Sequence, residues 1–123
     1  MAQAAAKIIE RELPAAVIDR SHLARMTLGD RSLEREVLQL FARQAALLLA
    51  RMHSGEPAAV VSLAHTLKGS AASIGATGVQ LAAAAVERAS AAERKDALDR
   101  LAAAIDEACA AIAALLQQGE TEG

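Results

Sequence analysis

Between residues 98 and 115, Leu98, Leu101, Ile105, Ala108, Ile112 and Leu115 follow one another at intervals that alternate three and four. Apolar positions at that spacing line one side of an α-helix, whereas a strand would need every second residue. A seam of this kind is of no use to an isolated helix. It has to be buried against neighbours, and it predicts a long helix packed in a helical assembly.

The rest of the chain supplies such neighbours. Alanine, leucine, arginine and glutamate, all strong helix formers, dominate, and Phe41 is the single aromatic residue. The β-branched and aromatic residues that fill sheets are scarce. The fold class is therefore all-α. Small alanine faces let helices approach closely, and 123 residues suffice for one core without a disulfide.

Breakers divide the chain. Pro14 ends any helix in the first dozen residues, because the residue before a proline is pushed out of helical geometry. A short helix over 22–29 is expected, with Ser21 as N-cap and Gly29-Asp30 as its end, and with Met26 and Leu28 partly buried. The next runs over 33–52 with Ser32 as N-cap; Leu33, Val37, Leu40, Phe41, Leu47 and Leu48 recur along it at helical spacing. The stretch 54–57 breaks it, and Pro57 suits the first position of a helix over 58–74 that Gly75 closes. Two more follow, over 77–91 and 93–118. Short links favour antiparallel neighbours. The expected architecture is an up-down-up-down four-helix bundle over 18–118, with a part-helical N-terminal extension over 1–17 and a disordered tail over 119–123.

Thirteen Lys and Arg stand against fifteen Asp and Glu, a net charge of −2 with no basic stripe, which argues against nucleic acid as a partner. Cys109 has no internal disulfide partner and fits a reducing compartment. Charges interrupt the N-terminal region where a signal peptide needs an apolar run, and the other apolar stretches are expected to be too broken by charge to cross a membrane. A soluble, cytoplasmic monomer is the expectation.

One stretch departs from this helical economy: "AHTLKGSAASIG", residues 64–75. At about 100° per residue, Val60, Leu63, Ala64, Leu67, Ala71 and Ile74 gather on a core-facing side. Val61, Ser62, His65, Lys68, Gly69 and Ala72 fall on the opposite side. His65 is thus expected to point to solvent with Lys68 and Gly69 one turn away on the same face. Glycine within a helix costs about 1 kcal/mol relative to alanine, a cost that makes sense where a partner has to come close. A neutral imidazole is a nucleophile, an ammonium steadies anionic oxygens, and together they suit phosphoryl transfer. The same pattern on an ordinary solvated helix face is the competing account.

His65-Thr66-Leu67-Lys68-Gly69-Ser70-Ala71, with Gly75 beyond, closely resembles the signature of histidine-containing phosphotransfer (HPt) domains. The likeness extends over most of the chain, from about Ile18 to Leu116. It implies a phosphocarrier of a multistep phosphorelay in two-component signalling. His65 would accept a phosphoryl group on its distal ring nitrogen from the aspartate of one receiver domain and pass it to another. Lys68 matches the family position that assists phosphate binding, and Gly69 the one that opens the surface. The family often has a polar side chain near the histidine on the following helix, and Glu87 falls there. It would accept from the proximal ring nitrogen, although a surface charge paired with Arg88 or near Arg43 is the preferred expectation for it. In the family the short N-terminal helix also contributes to docking, and Val61 and Ala72 are the docking candidates beside the histidine.

The resemblance also implies what the chain leaves to others. Its partners would be receiver domains of hybrid histidine kinases and of response regulators. No cofactor and no ATP site of its own are expected, and any Mg²⁺ belongs to the receiver. A glycine-rich nucleotide loop is missing from the sequence, and no His, Cys, Asp and Glu residues stand at metal-ligand spacing. His22 and His53 lack the Lys-Gly companions and read as helix-end residues. Two other readings stay open: the phosphorylatable domain of a chemotaxis-type kinase, and a helical scaffold without phosphotransfer. The start at Met1 and the short polar ending favour an independent protein over the first.

Overall fold

A computed structural model describes the backbone of residues 17–122 and the side chains of 17–118. The helix expected before Pro14 lies outside the described residues. Those described form five helices: α1 (Arg20–Met26), α2 (Arg31–Ser54), α3 (Pro57–Ile74), α4 (Thr77–Arg88) and α5 (Arg94–Glu122). Among them there is no strand. The four longer helices pack in a ring, α2 on α3, α3 on α4, α4 on α5 and α5 on α2, while α1 rests on α3.

The core follows the alanine-rich pattern. Ala45, Ala64, Ala71, Ala83 and Ala108 are fully buried where helices cross, and Phe41, Met52, Leu67, Leu101, Ile105 and Ile112 fill the space between them. The seam of α5 is buried from Leu98 to Ile112, and Leu115 is half-buried. Arg35 of α2 donates from Nη1 to the carbonyl of Leu116 at 2.9 Å, tying the start of α2 to the far end of α5.

Helix ends depart from expectation in instructive ways. The N-caps are Asp19 and Asp30, two residues before Ser21 and Ser32. Their carboxylates accept from the amides of His22 and Leu33, each at 3.0 Å. An anionic cap satisfies a free amide and also meets the positive helix end, which a hydroxyl does less well. The fourth long stretch stops at Arg88 rather than residue 91. There Ser90 and Glu93 cap reciprocally, the amide of Ser90 on Oε1 of Glu93 at 2.9 Å and the amide of Glu93 on Ser90 Oγ at 3.3 Å. That pairing commits the chain to starting α5. The backbone of 119–122, expected to be disordered, continues α5.

Burial also corrects three expectations. Met26 and Leu28 are exposed, Leu28 to 94%. The short α1 buries Leu23, and Ile18 and Thr27 fill the remaining space beneath it. Within α2, Phe41 and Leu48 face inward, together with Leu38, Ala45 and Met52, but Leu33, Leu40 and Leu47 do not. Finally, Arg94–Gln118 is long and apolar enough to cross a membrane by length and composition, contrary to the sequence expectation. Nine of its sixteen apolar residues are alanine, and the leucine and isoleucine seam within it is spent on the bundle core.

Candidate functional site

Helix α3 positions the site. Pro57 starts it and Gly75 ends it in the left-handed conformation at φ 78°, where glycine carries no steric penalty. A Cβ at Gly75 would lie 2.9 Å from both the Cβ and the carbonyl oxygen of Asp19. The missing side chain lets the amide of Asp19 donate to the carbonyl of Gly75 at 2.8 Å, which seats α1 on the end of α3.

Between those ends the two faces separate as their spacing predicts. Val60, Ala64, Leu67, Ala71 and Ile74 are buried, and Leu63 is half-buried. His65 stands on the other side with its side chain 70% exposed. Val61 is 37% exposed, and Ala72 is half-buried on the same face. A Cβ on Gly69 would meet nothing within 4 Å. Packing therefore gives no reason for that glycine, and the surface beside His65 is open.

Glu87, in the last turn of α4, joins the group from across the interhelical groove. Its carboxylate lies 2.9 Å through Oε2 from Nδ1 of His65 and 2.7 Å through Oε1 from Nζ of Lys68. A surface charge paired with Arg88 or with the surroundings of Arg43 is not what forms; the partners are His65 and Lys68. The Lys68 hydrogen bond, then the His65 hydrogen bond, hold the Glu87 carboxyl below its ordinary value, against a smaller opposing effect of burial. With Glu87 ionised it can only accept, so Nδ1 of His65 carries the proton and donates. The lone pair is then on Nε2.

Sequence spacing within α3 was enough to bring His65, Lys68 and Gly69 onto one face. The place of Glu87, 22 residues away from His65, depends on how α4 leans on α3. The other histidines are arranged differently. His22 donates from Nε2 to the carbonyl of Ser73 at 3.1 Å, which commits that nitrogen to joining α1 and α3. His53 is exposed in the last turn of α2, beside Arg51. Among the described residues no group of three His, Cys, Asp or Glu side chains is placed to hold a metal ion.

The site is thus an exposed imidazole on a helical bundle, held through Nδ1 by a carboxylate of the next helix, with an ammonium and a glycine on the same face. The family model described as the Hpt domain matches residues 36–118, most of the chain, and the chain belongs to that family. Hpt domains serve histidine phosphotransfer in phosphorelay signalling. Neither the curated proteins nor the solved structures compared with the chain give a match.

Proposed function

We propose that His65 is the phosphoryl-carrying residue of this domain. It would take the group from the aspartate of a receiver domain and hand it to the aspartate of a second one. The observation that carries this is the bond from His65 Nδ1 to Glu87 on an imidazole whose ring stands open to solvent.

The chemistry follows from the proton's position. Nε2 attacks phosphorus of the aspartyl phosphate; the N–P bond forms as the P–O bond breaks, and the aspartate carboxylate leaves. The ring gains positive charge and keeps its proton on Nδ1, where the Glu87 carboxylate stabilises it. Return transfer to the second receiver reverses each change, and the imidazole recovers its lone pair. Lys68 supplies the positive charge that offsets the phosphoryl oxygens, and Glu87 restrains its ammonium until those oxygens arrive. Gly69 leaves room for the receiver's backbone, with Val61 and Ala72 as apolar ground around the imidazole.

On this reading the domain acts as a carrier and not as a kinase. Mg²⁺ belongs to the receiver, which also supplies most of the transfer machinery. Receiver domains of hybrid kinases and response regulators work in the cytoplasm, and that is the compartment we assign.

The test is incubation with a phosphorylated receiver. Label should move to this chain in an acid-labile, base-stable form, as a phosphoramidate requires, and His65→Gln should abolish it with the helical signal unchanged. Label that persists in His65→Gln, on His22 or His53, overturns the assignment. No label on the wild-type chain from any receiver of the source organism leaves the bundle as a scaffold.

A further inference from the structure

A cleft of about 370 Å³ opens at one end of the bundle, where α2 stops and where α3 and α5 begin. Its size falls within the range that small-molecule sites occupy. Met52, Val60 and Leu98, one from each of the three helices, are buried and form an apolar floor. The cleft stands apart from the phosphoacceptor. No lining residue belongs to α4, and none bonds to His65, Lys68 or Glu87. Pro57, on its rim, precedes His65 by about 12 Å along α3. Val60 lies on the core side of that helix, whereas the imidazole faces solvent.

The polar rim is short of acceptors. Lys95 and Asp99 satisfy each other, Nζ to Oδ2 at 3.3 Å. Arg94 has no carboxylate partner among the described residues. Its guanidinium makes one long bond, from Nη2 to the carbonyl of Ala89 at 3.4 Å, and its Nε is buried with no acceptor. A guanidinium carries five N–H groups, and a buried donor left unpaired costs free energy. His53 adds an exposed imidazole to the same rim. Glu56, at the N-cap of α3, makes no side-chain bond to the first turn, so further donors stand uncapped beside Pro57.

We propose that this cleft binds a small organic anion, a carboxylate on a short apolar body, with Arg94 as its counter-ion. The body rests on Met52, Val60 and Leu98. The two carboxylate oxygens accept from the guanidinium as a pair, the arrangement its planar fork favours. Nε is shielded from solvent, so binding turns the Arg94 side chain toward the cleft. The long bond to Ala89 is thereby exchanged for two charge-assisted ones. An inorganic anion gains only the charge and an alcohol only the apolar floor, whereas the carboxylate uses both.

The site does not depend on phosphotransfer, and its test needs no receiver. The ¹⁵N-labelled full chain is titrated with hexanoate, hexanol and inorganic phosphate and followed by NMR. Hexanoate should bind with a dissociation constant of about 0.1–5 mM, as a ligand of its size reaches at ordinary efficiency. The Arg94 Nε–H signal should shift together with the amides of Ala58, Val60 and Leu98. Hexanol and phosphate should each bind at least about tenfold more weakly, and Arg94→Gln should weaken hexanoate by a similar factor. Arg94→Lys keeps the charge without the fork and should fall between, and it replaces Arg94→Gln should that variant lose helical signal. Arg100→Gln, outside the cleft, should leave binding unchanged. No saturable shift up to about 50 mM hexanoate overturns the proposal, as does equal binding of hexanol or full affinity in both Arg94 variants. Phosphate as effective as hexanoate, with shifts spread over the surface, marks unspecific ion binding and overturns it too.

Discussion

Glu87 Oε2 lies 2.9 Å from Nδ1 of His65, and the bond crosses from α4 to α3. Because a carboxylate held below its ordinary pKa only accepts, this one contact fixes which ring nitrogen carries the proton in the neutral imidazole. On the proposed function, it joins the packing of two helices to the reactivity of a single atom.

Removing the charge while keeping the shape isolates that contribution. Glu87→Gln should slow transfer from a phosphorylated receiver about tenfold or more, as expected for loss of a charge-assisted hydrogen bond worth about 1.5–3 kcal/mol. Imidazole ¹⁵N shifts give an independent readout, since Glu87→Ala should raise the fraction of His65 protonated on Nε2. Unchanged tautomer populations in Glu87→Ala would show that the carboxylate does not orient the ring.

The same carboxylate makes a pH prediction. Its folded pKa lies below the reference of 4.5, so its bridge stabilises the fold fully above that pH. The contribution is lost as pH falls through the folded value. Thermal melts of wild type and Glu87→Gln, followed from about pH 5 to about pH 3, where Lys68 and the imidazole both carry positive charge, should converge as the carboxylate protonates. A gap that persists undiminished to about pH 3 contradicts the bridge.

Gly69 separates stability from function. A Cβ there meets nothing, so Gly69→Ala should stabilise the isolated domain by about 1 kcal/mol, or about 3–6 °C in Tm. Gly69→Gln should keep most of that gain and yet block the encounter with a receiver. Transfer at the wild-type rate in Gly69→Gln would mean the open surface is not used.

Gly75 should behave in the opposite way. With its positive φ and Asp19 within 2.9 Å of a would-be Cβ, Gly75→Ala should cost about 1–2 kcal/mol from backbone conformation alone, with the overlap added. Hydrogen exchange should locate the loss at α1 and the end of α3. Uniform loosening across all five helices would contradict a local role.

The docking surface can be tested by placing a charge on it. Val61→Asp puts an unpaired carboxylate beside the imidazole, where desolvation penalises it in a closed interface, and should reduce transfer at least about tenfold. Arg100→Asp, exposed on α5, should change it less than about twofold. Equal effects would place the receiver elsewhere on the bundle.

Much of this was legible in the residues. The alternating three-and-four seam of α5, the breaks at 55–57 and at Gly75, and the division of α3 into two faces are all local properties of a helix. Rotation per residue fixes them before any partner arrives. His65, Lys68 and Gly69 share a face for that reason, and their motif names the family. The caps were misplaced by two residues because Ser and Asp both qualify from sequence and only backbone geometry chooses between them.

What tertiary structure alone decided concerns pairs on different helices. Leu33, Leu40 and Leu47 fit a helical period as well as Phe41 and Leu48 do. Which of two adjacent apolar arcs turns inward depends on where α3 and α5 sit. Glu87 has the same ambiguity in reverse: as a charge near a helix end it has Arg88 beside it in sequence, and nothing local sends it toward His65. The lean of α4 against α3 brings its carboxylate to Nδ1 and Nζ at once. Helical periodicity determines which residues share a face, but the distance between two faces is set by packing.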